Sequence, residues 1–194
     1  MSTVMKHSRI ACMVLVTMLT LAVLATAQVE TIDAQARGTS TQLGRNVGVK
    51  VIINQYSTPE DHDALKAAFL KGGNKGLVDA LSKMKSAGRI QVTGTVGYDL
   101  AYAASVPTET GRRIRFVTNR RIAFGEAYRN TRSQAYNLTA GEIDLNEKDN
   151  NKSTGVLYPA AQLVITADGE LEWQLLQNPW QLTSIIDWKP KGKE

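Results

Sequence analysis

The chain has 194 residues, of which 43% are hydrophobic, 21% charged and 6% aromatic, and its formal net charge is +5. This composition excludes a disordered polyelectrolyte and a membrane protein with several spans, and it fits one soluble domain. The single cysteine, Cys12, lies near the start of the chain. The remaining residues therefore exclude a disulfide, a thiolate nucleophile and a cysteine-based metal site.

Residues 1–27 have the pattern of a signal peptide. Lys6 and Arg9 form a short basic stretch, an apolar run follows over residues 10–25, and small residues at 25–27 suit cleavage. The apolar run is shorter than the roughly 20 residues that cross a bilayer as a helix, which favours cleavage over a retained anchor. We therefore predict a periplasmic or extracellular protein with no stable membrane span after cleavage.

The next elements in the chain are a strand and a helical segment. Residues 28–46 lack a periodic pattern and are expected to form a flexible lead-in to a single domain over residues 47–188, before a basic tail at 189–194. Alternation over residues 47–53 predicts the first strand. Thr58 then offers an N-cap, and Pro59 suits the first helical position. Two apolar faces separated by Gly72-Gly73 predict two short helices joined as a helical hairpin.

The strongest periodic signal covers residues 90–106. The even positions of this run carry its larger apolar side chains, which are Ile90, Val92, Val96, Tyr98, Leu100, Tyr102, Ala104 and Val106. A straight strand of this length would extend roughly 56 Å, too far for a domain of this mass, so we expect a bend at Gly94 or Gly97. The pattern predicts a curved sheet with one buried face.

Further strands follow at 112–118, 136–145 and 155–166. A turn at 167–169 leads to the partner of the last of these, which begins at Leu171 and is interrupted at Asn178-Pro179. This order predicts an α+β domain. Its core is a strongly bent antiparallel sheet of about six strands, with the helical hairpin inserted after the first strand and covering one face.

Charge is distributed unevenly along the second half of the chain. Seven arginines and one glutamate lie within residues 112–132, and acidic residues predominate in the residues that follow. An anionic surface could therefore bind a ribbon formed by Arg113, Arg115, Arg120 and Arg121. The alternative is cross-strand ion pairing with the acids that follow, which we favour because a meander places them alongside. Nucleic acid is disfavoured as a partner of an exported protein.

The sequence offers little for catalysis. His62 is the only histidine after the signal segment, and no Gly-x-Ser-x-Gly motif accompanies it. The carboxylate pair Glu142 and Asp144 is more typical of a solvated strand face than of a catalytic cleft. We therefore predict no catalytic residue, no metal site and no cofactor.

Aromatic residues on the curved sheet suggest a second kind of site. Tyr98, Tyr102 and Trp173 could line a cavity for an apolar ligand, and the alternative is ordinary core packing.

Three stretches carry a family resemblance. They are GRRIRFVTNRRIAFGE at 111–126, PAAQL at 159–163 and the break at Asn178-Pro179. In these stretches the chain resembles a family of uncharacterised secreted bacterial proteins, which implies an exported bacterial domain and no specific activity. A helical hairpin beside a bent sheet is also similar to small lipid-binding barrels and helix-grip folds, a likeness of fold alone. The expectation is a noncatalytic exported domain of unknown role, and the alternative is a carrier of an apolar small molecule in a cavity under the sheet.

Overall fold

The computed structural model describes residues 29–38, 47–122, 136–165, 167, 171–176 and 178–188. The predicted signal peptide and the predicted basic tail lie outside these residues. The described elements, in chain order, are strand β1 (Glu30–Gly38), β2 (Val47–Ile53), helix α1 (Pro59–Leu81), β3 (Gly88–Val92), β4 (Tyr98–Thr108), β5 (Gly111–Thr118), β6 (Leu138–Asn146), a short 3₁₀ helix (Asn150–Lys152), β7 (Thr154–Ile165), β8 (Leu171–Leu175) and β9 (Trp180–Asp187).

Eight of the described strands close into an antiparallel barrel. Each strand from β1 to β7 pairs with the next one in the chain, and β9 pairs with both β7 and β1 to complete the circle. Strand β8 is an additional strand that pairs with the second half of β7. The predicted α+β fold, an open bent sheet of about six strands with a helical hairpin, is therefore wrong, because closure removes the free edges of the sheet.

Strand β1 closes the barrel by pairing with both β2 and β9. Its residues lie in the stretch expected to be a flexible lead-in, yet Ile32 pairs with Val51 on one side and with Asp187 on the other. Buried and partly exposed positions alternate along β1. The strand therefore has the alternation of a barrel strand, with one face toward the interior and the other toward the outside.

Side chains fill the barrel interior. One continuous cluster of buried residues draws on all eight barrel strands, including Ile32, Val51, Ile90, Leu100, Phe116, Ile143, Leu157 and Leu182. Phe116 lies over its cross-strand partner Gly141, where a Cβ atom would come within 2.2 Å of the ring. Glycine at this position lets the large ring occupy the interior, since a filled barrel of this size needs small residues opposite large ones.

The long periodic run at residues 90–106 is a hairpin and not one bent strand. The chain reverses between β3 and β4, and both Gly94 and Gly97 have positive φ angles, of 85° and 88°. A register shift between Leu100 and Tyr102 then moves the inward phase from even to odd positions. Ala103, not Tyr102, continues the buried interior face, because a bulge adds one residue to the strand.

The helical region is a single helix with a kink, which corrects the predicted helical hairpin. Gly73 has φ 59° and ψ −152°, a conformation outside the helical region, in the middle of α1. The predicted start is confirmed, because Thr58 caps the helix and exchanges hydrogen bonds with Asp61 in a capping box. In the part of the chain that the structure describes, no helix is long and apolar enough to cross a membrane.

Candidate functional site

An apolar cleft of about 410 Å³ lies between α1 and the outer wall of the barrel. Both halves of the helix contribute aliphatic or aromatic side chains, and strands β4, β5 and β7 form the floor. The apolar lining residues are Leu65, Phe69, Leu77, Leu81, Tyr102, Val117 and Leu163. The cleft falls within the range of about 300–1,000 Å³ that is typical of small-molecule sites.

The kink at Gly73 shapes this cleft. Beyond the kink, Gly76 approaches the first half of the helix so closely that a Cβ atom would lie 2.4 Å from the carbonyl oxygen of Ala68. A straight helix would place residues eight apart roughly 12 Å from each other along its axis. The kink therefore folds the second half back, and side chains from both halves face the same space.

Asn74 fixes the kinked helix to the barrel. Its amide nitrogen donates to Oδ1 of Asn137 at 3.1 Å, and its Oδ1 accepts from the backbone N–H of Leu163 at 3.0 Å. Leu163 lies in β7 beyond the last pair of the β6–β7 ladder, which is Leu138 with Ala161. Asn74 therefore accepts a hydrogen bond from a β7 N–H that lies beyond the ladder with β6. This contact holds α1 in position over the cleft.

Polar side chains border the cleft. His62 and Lys66 extend from the first half of α1, and Tyr102 comes from β4. Burial raises the pKa of the Tyr102 hydroxyl, the charge of Asp61 raises it further, and Arg115 opposes the rise. Tyr102 is therefore neutral at neutral pH and can donate or accept a hydrogen bond. A molecule in the cleft would meet an apolar floor and a polar rim.

The three aromatic residues predicted to line a cavity do not share one described site. Tyr102 lines the cleft and packs against the helix side, whereas Tyr98 packs against the barrel interior. Trp173 lies in β8 opposite Leu163, and its side chain is outside the described residues. The sequence shows apolar faces on the helical residues that form most of the cleft. That pattern predicts packing of the helix against the sheet, and it does not indicate a cleft between the two.

The four arginines of the predicted ribbon have different environments. Arg113 donates to both carboxylate oxygens of Asp144, at 2.6 and 3.0 Å, and Arg115 donates to Glu142 at 2.7 Å. These two therefore form cross-strand pairs with β6. Arg120 borders a polar pocket of about 590 Å³ at the β3–β4 turn, and Arg121 is half-buried.

A fifth arginine, Arg112, joins a buried charge cluster at one end of the barrel. Its guanidinium donates to both carboxylate oxygens of Glu30, to Oδ2 of Asp187 at 2.6 Å and to the Tyr56 hydroxyl at 3.0 Å. Tyr56 in turn donates to Glu30 at 2.6 Å. The side chains of Arg112, Glu30 and Asp187 are only 12%, 9% and 13% exposed.

This cluster ties together opposite walls of the barrel. Strands β1 and β5 are four strands apart in the closed ring of eight, so the contact between Glu30 and Arg112 crosses the barrel end. Burial, reinforced by the hydrogen bond to Glu30 and by its charge, raises the pKa of Tyr56. The hydrogen bonds of the cluster link β1, β5 and β9 at this end of the barrel.

The structure shows the surroundings of His62, the histidine considered for catalysis. His62 is exposed, and its Nδ1 lies 3.3 Å from Oδ1 of Asp63 on the same helix turn. Within the described ranges, no group of three or more His, Cys, Asp or Glu side chains is arranged to hold a metal ion.

Comparisons with family models, with curated proteins and with solved structures found no match. The resemblance to uncharacterised secreted bacterial proteins therefore stays a prediction from the sequence.

Proposed function

We propose that the chain is a noncatalytic exported domain that binds an apolar small molecule in the cleft between α1 and the barrel wall. Export rests on the residues of the N-terminal segment alone. The observation that carries the binding role is the cleft itself, which leaves the side chains of Leu65, Phe69 and Leu163 facing a space of about 410 Å³. Apolar surface facing an open space gains free energy when a ligand covers it.

The cleft is a better site than the space inside the barrel. The interior is occupied by the side chains of the buried cluster, among them Phe116 and Leu157, which leaves that space to the core. The sequence suggested a ligand under the sheet, whereas the proposed ligand lies outside the wall and under the helix.

The lining favours a ligand with one apolar body and one polar end. The floor of Val117 and Leu163 offers no charged group, and the rim offers the Tyr102 hydroxyl, the Lys66 ammonium and the His62 imidazole. A few polar groups at the edge of an apolar site fix the orientation of a ligand without supplying most of its affinity.

A fluorescence titration with N-phenyl-1-naphthylamine, an uncharged apolar probe, tests this function. We expect saturable binding with one probe per chain. Leu163→Trp places a larger side chain on the floor of the cleft and is expected to weaken probe binding at least tenfold. Leu70→Trp is the matched control, since Leu70 lies on the same helix but is 65% exposed and does not line the cleft.

Two results would contradict the proposal. One is the absence of saturable binding by the wild-type protein. The other is equal weakening in both variants, or weakening in neither, because binding would then not depend on the cleft. Circular dichroism of both variants shows whether the fold is retained.

A further inference from the structure

The rim of the cleft carries a positive charge beside the apolar floor. Among the described residues that line the cleft, Lys66 is the one lysine or arginine, and none is an aspartate or glutamate. His62 precedes Lys66 by four positions on α1 and also lines the cleft. Residues four apart on a helix are neighbours on one face, so both nitrogen-bearing side chains border the same stretch of the rim.

The Lys66 ammonium makes no ion pair in the part of the chain that the structure describes. Asp63, one helical turn earlier, lies against the His62 imidazole instead, with its Oδ1 3.3 Å from Nδ1. In the second half of the helix, by contrast, Lys75 is paired with Asp79 at 2.8 Å. The Lys66 charge is therefore available to a molecule in the cleft.

The other acids near the cleft already have partners. Glu142 accepts a hydrogen bond from Arg115 at 2.7 Å. Asp61 is held in the capping box at the start of α1, where its carboxylate accepts from the backbone N–H of Thr58. An anionic group at the rim would therefore meet the free ammonium of Lys66, while these carboxylates are engaged elsewhere.

We propose that the ligand of the cleft is an amphiphile of the fatty-acid class, with its alkyl chain on the apolar floor and its carboxylate at Lys66. This inference rests on the proposed binding function and names the charge of the ligand. A carboxylate accepts charge-assisted hydrogen bonds from an ammonium, and the Tyr102 hydroxyl at the rim can donate a further one. A single ammonium matches a single negative charge, which favours a carboxylate over a phosphate dianion.

Competition against N-phenyl-1-naphthylamine separates the contribution of the polar end from that of the chain. Decanoate, decan-1-ol and decylamine have the same number of carbon atoms and differ in the charge of the polar end. At neutral pH and low salt, we expect decanoate to displace the probe at a concentration about threefold lower than decan-1-ol, which is typical of one partly exposed ion pair. Decylamine should be the weakest competitor, and the advantage of decanoate should shrink as salt is raised.

Charge reversal tests the role of the lysine itself. Lys66→Glu is expected to reverse the order, so that decylamine displaces the probe at a lower concentration than decanoate. Lys71→Glu is the matched control and should keep the wild-type order, since Lys71 is exposed on the same helix but does not line the cleft. The ratio of the competition constants is compared within each variant, so a change in the folded fraction does not alter it.

The outcomes distinguish this inference from the proposed function. If the wild-type protein binds the probe but decanoate and decan-1-ol compete equally, the cleft binds apolar molecules without selecting an anion, and the inference is wrong. It is also wrong if Lys66→Glu and Lys71→Glu show the same order of competitors. Decyl phosphate that competes more strongly than decanoate would replace the carboxylate by a phosphate ester. If the probe does not bind at all, the proposed function fails and the inference fails with it.

Discussion

The buried cluster at the barrel end allows a sharp prediction about stability. Arg112 is the cation that compensates Glu30 and Asp187, and all three side chains are at least 87% buried. Arg112→Met keeps the length of the side chain but removes the cation that pairs with both carboxylates. Breaking a buried ion pair by removing one member costs about 3–5 kcal/mol.

The hydrogen bonds of Arg112 indicate a similar loss of unfolding free energy. Arg112 makes charged hydrogen bonds to two carboxylates, and each such contact contributes about 1.5–3 kcal/mol when its geometry is good. Because a domain of this kind unfolds with a total free energy of about 5–15 kcal/mol, the variant should remain folded but with a large part of its stability lost.

Urea unfolding followed by circular dichroism measures this loss. Arg113→Met is the matched control, since Arg113 is the next residue on the same strand and binds Asp144 at the barrel surface. We expect a much smaller loss in the control because water screens exposed pairs. Adding Glu30→Gln and Asp187→Asn to Arg112→Met should recover part of the stability. An Arg112→Met variant as stable as Arg113→Met would show that the buried cluster does not stabilise the barrel.

Two further predictions concern the helix kink and the tyrosine of the cluster. Gly73→Ala should lower the unfolding free energy by about 1–3 kcal/mol and weaken probe binding, because alanine rarely adopts φ 59° with ψ −152°. Gly72→Ala, at a helical position with open space around it, should do neither, and equal effects of the two variants would argue against the kink as the shaping feature. Tyr56 has a raised pKa in the folded protein, so its stabilising effect is present below the ordinary tyrosine pKa of about 10 and is lost as the pH rises above it. The difference in urea stability between wild type and Tyr56→Phe should therefore shrink from pH 9 to pH 11, and a constant difference would contradict the raised pKa.

Local signals in the sequence predicted local structure well. Thr58 and Pro59 marked the start of α1, and Gly72-Gly73 marked the position of its kink. The Asn178-Pro179 break falls between β8 and β9. Each of these features depends on the backbone preferences of a few neighbouring residues, which a sequence displays directly.

Closure of the barrel depends on contacts that the sequence does not display. Strand β1 pairs with β9 about 150 residues later, and its inward side chains include Ala34, Ala36 and Glu30 as well as Ile32. Small and charged residues weaken the apolar alternation, so the strand looked like a lead-in. The contact between Arg112 and Glu30 is also not evident from the sequence, because the two residues are 82 positions apart.

The bulge in β4 limited the prediction of the site. Alternation placed Tyr98 and Tyr102 on one face, but the register shift after Leu100 puts them on opposite sides of the wall. A one-residue insertion leaves little trace in a hydrophobic pattern, yet it exchanges the inside and the outside of every residue that follows. The cleft also requires that the kinked helix lie above Tyr102, a placement that no local pattern predicts.

The most direct test of the proposed ligand site is an NMR measurement on protein with ¹³C-labelled leucine and valine methyl groups, saturated with N-phenyl-1-naphthylamine. We expect intermolecular NOEs from the probe to the methyl groups that line the cleft, which are those of Leu65, Leu77, Val117 and Leu163. NOEs to the interior methyl groups of Leu100, Leu157 and Leu182 would instead place the ligand inside the barrel and contradict this expectation.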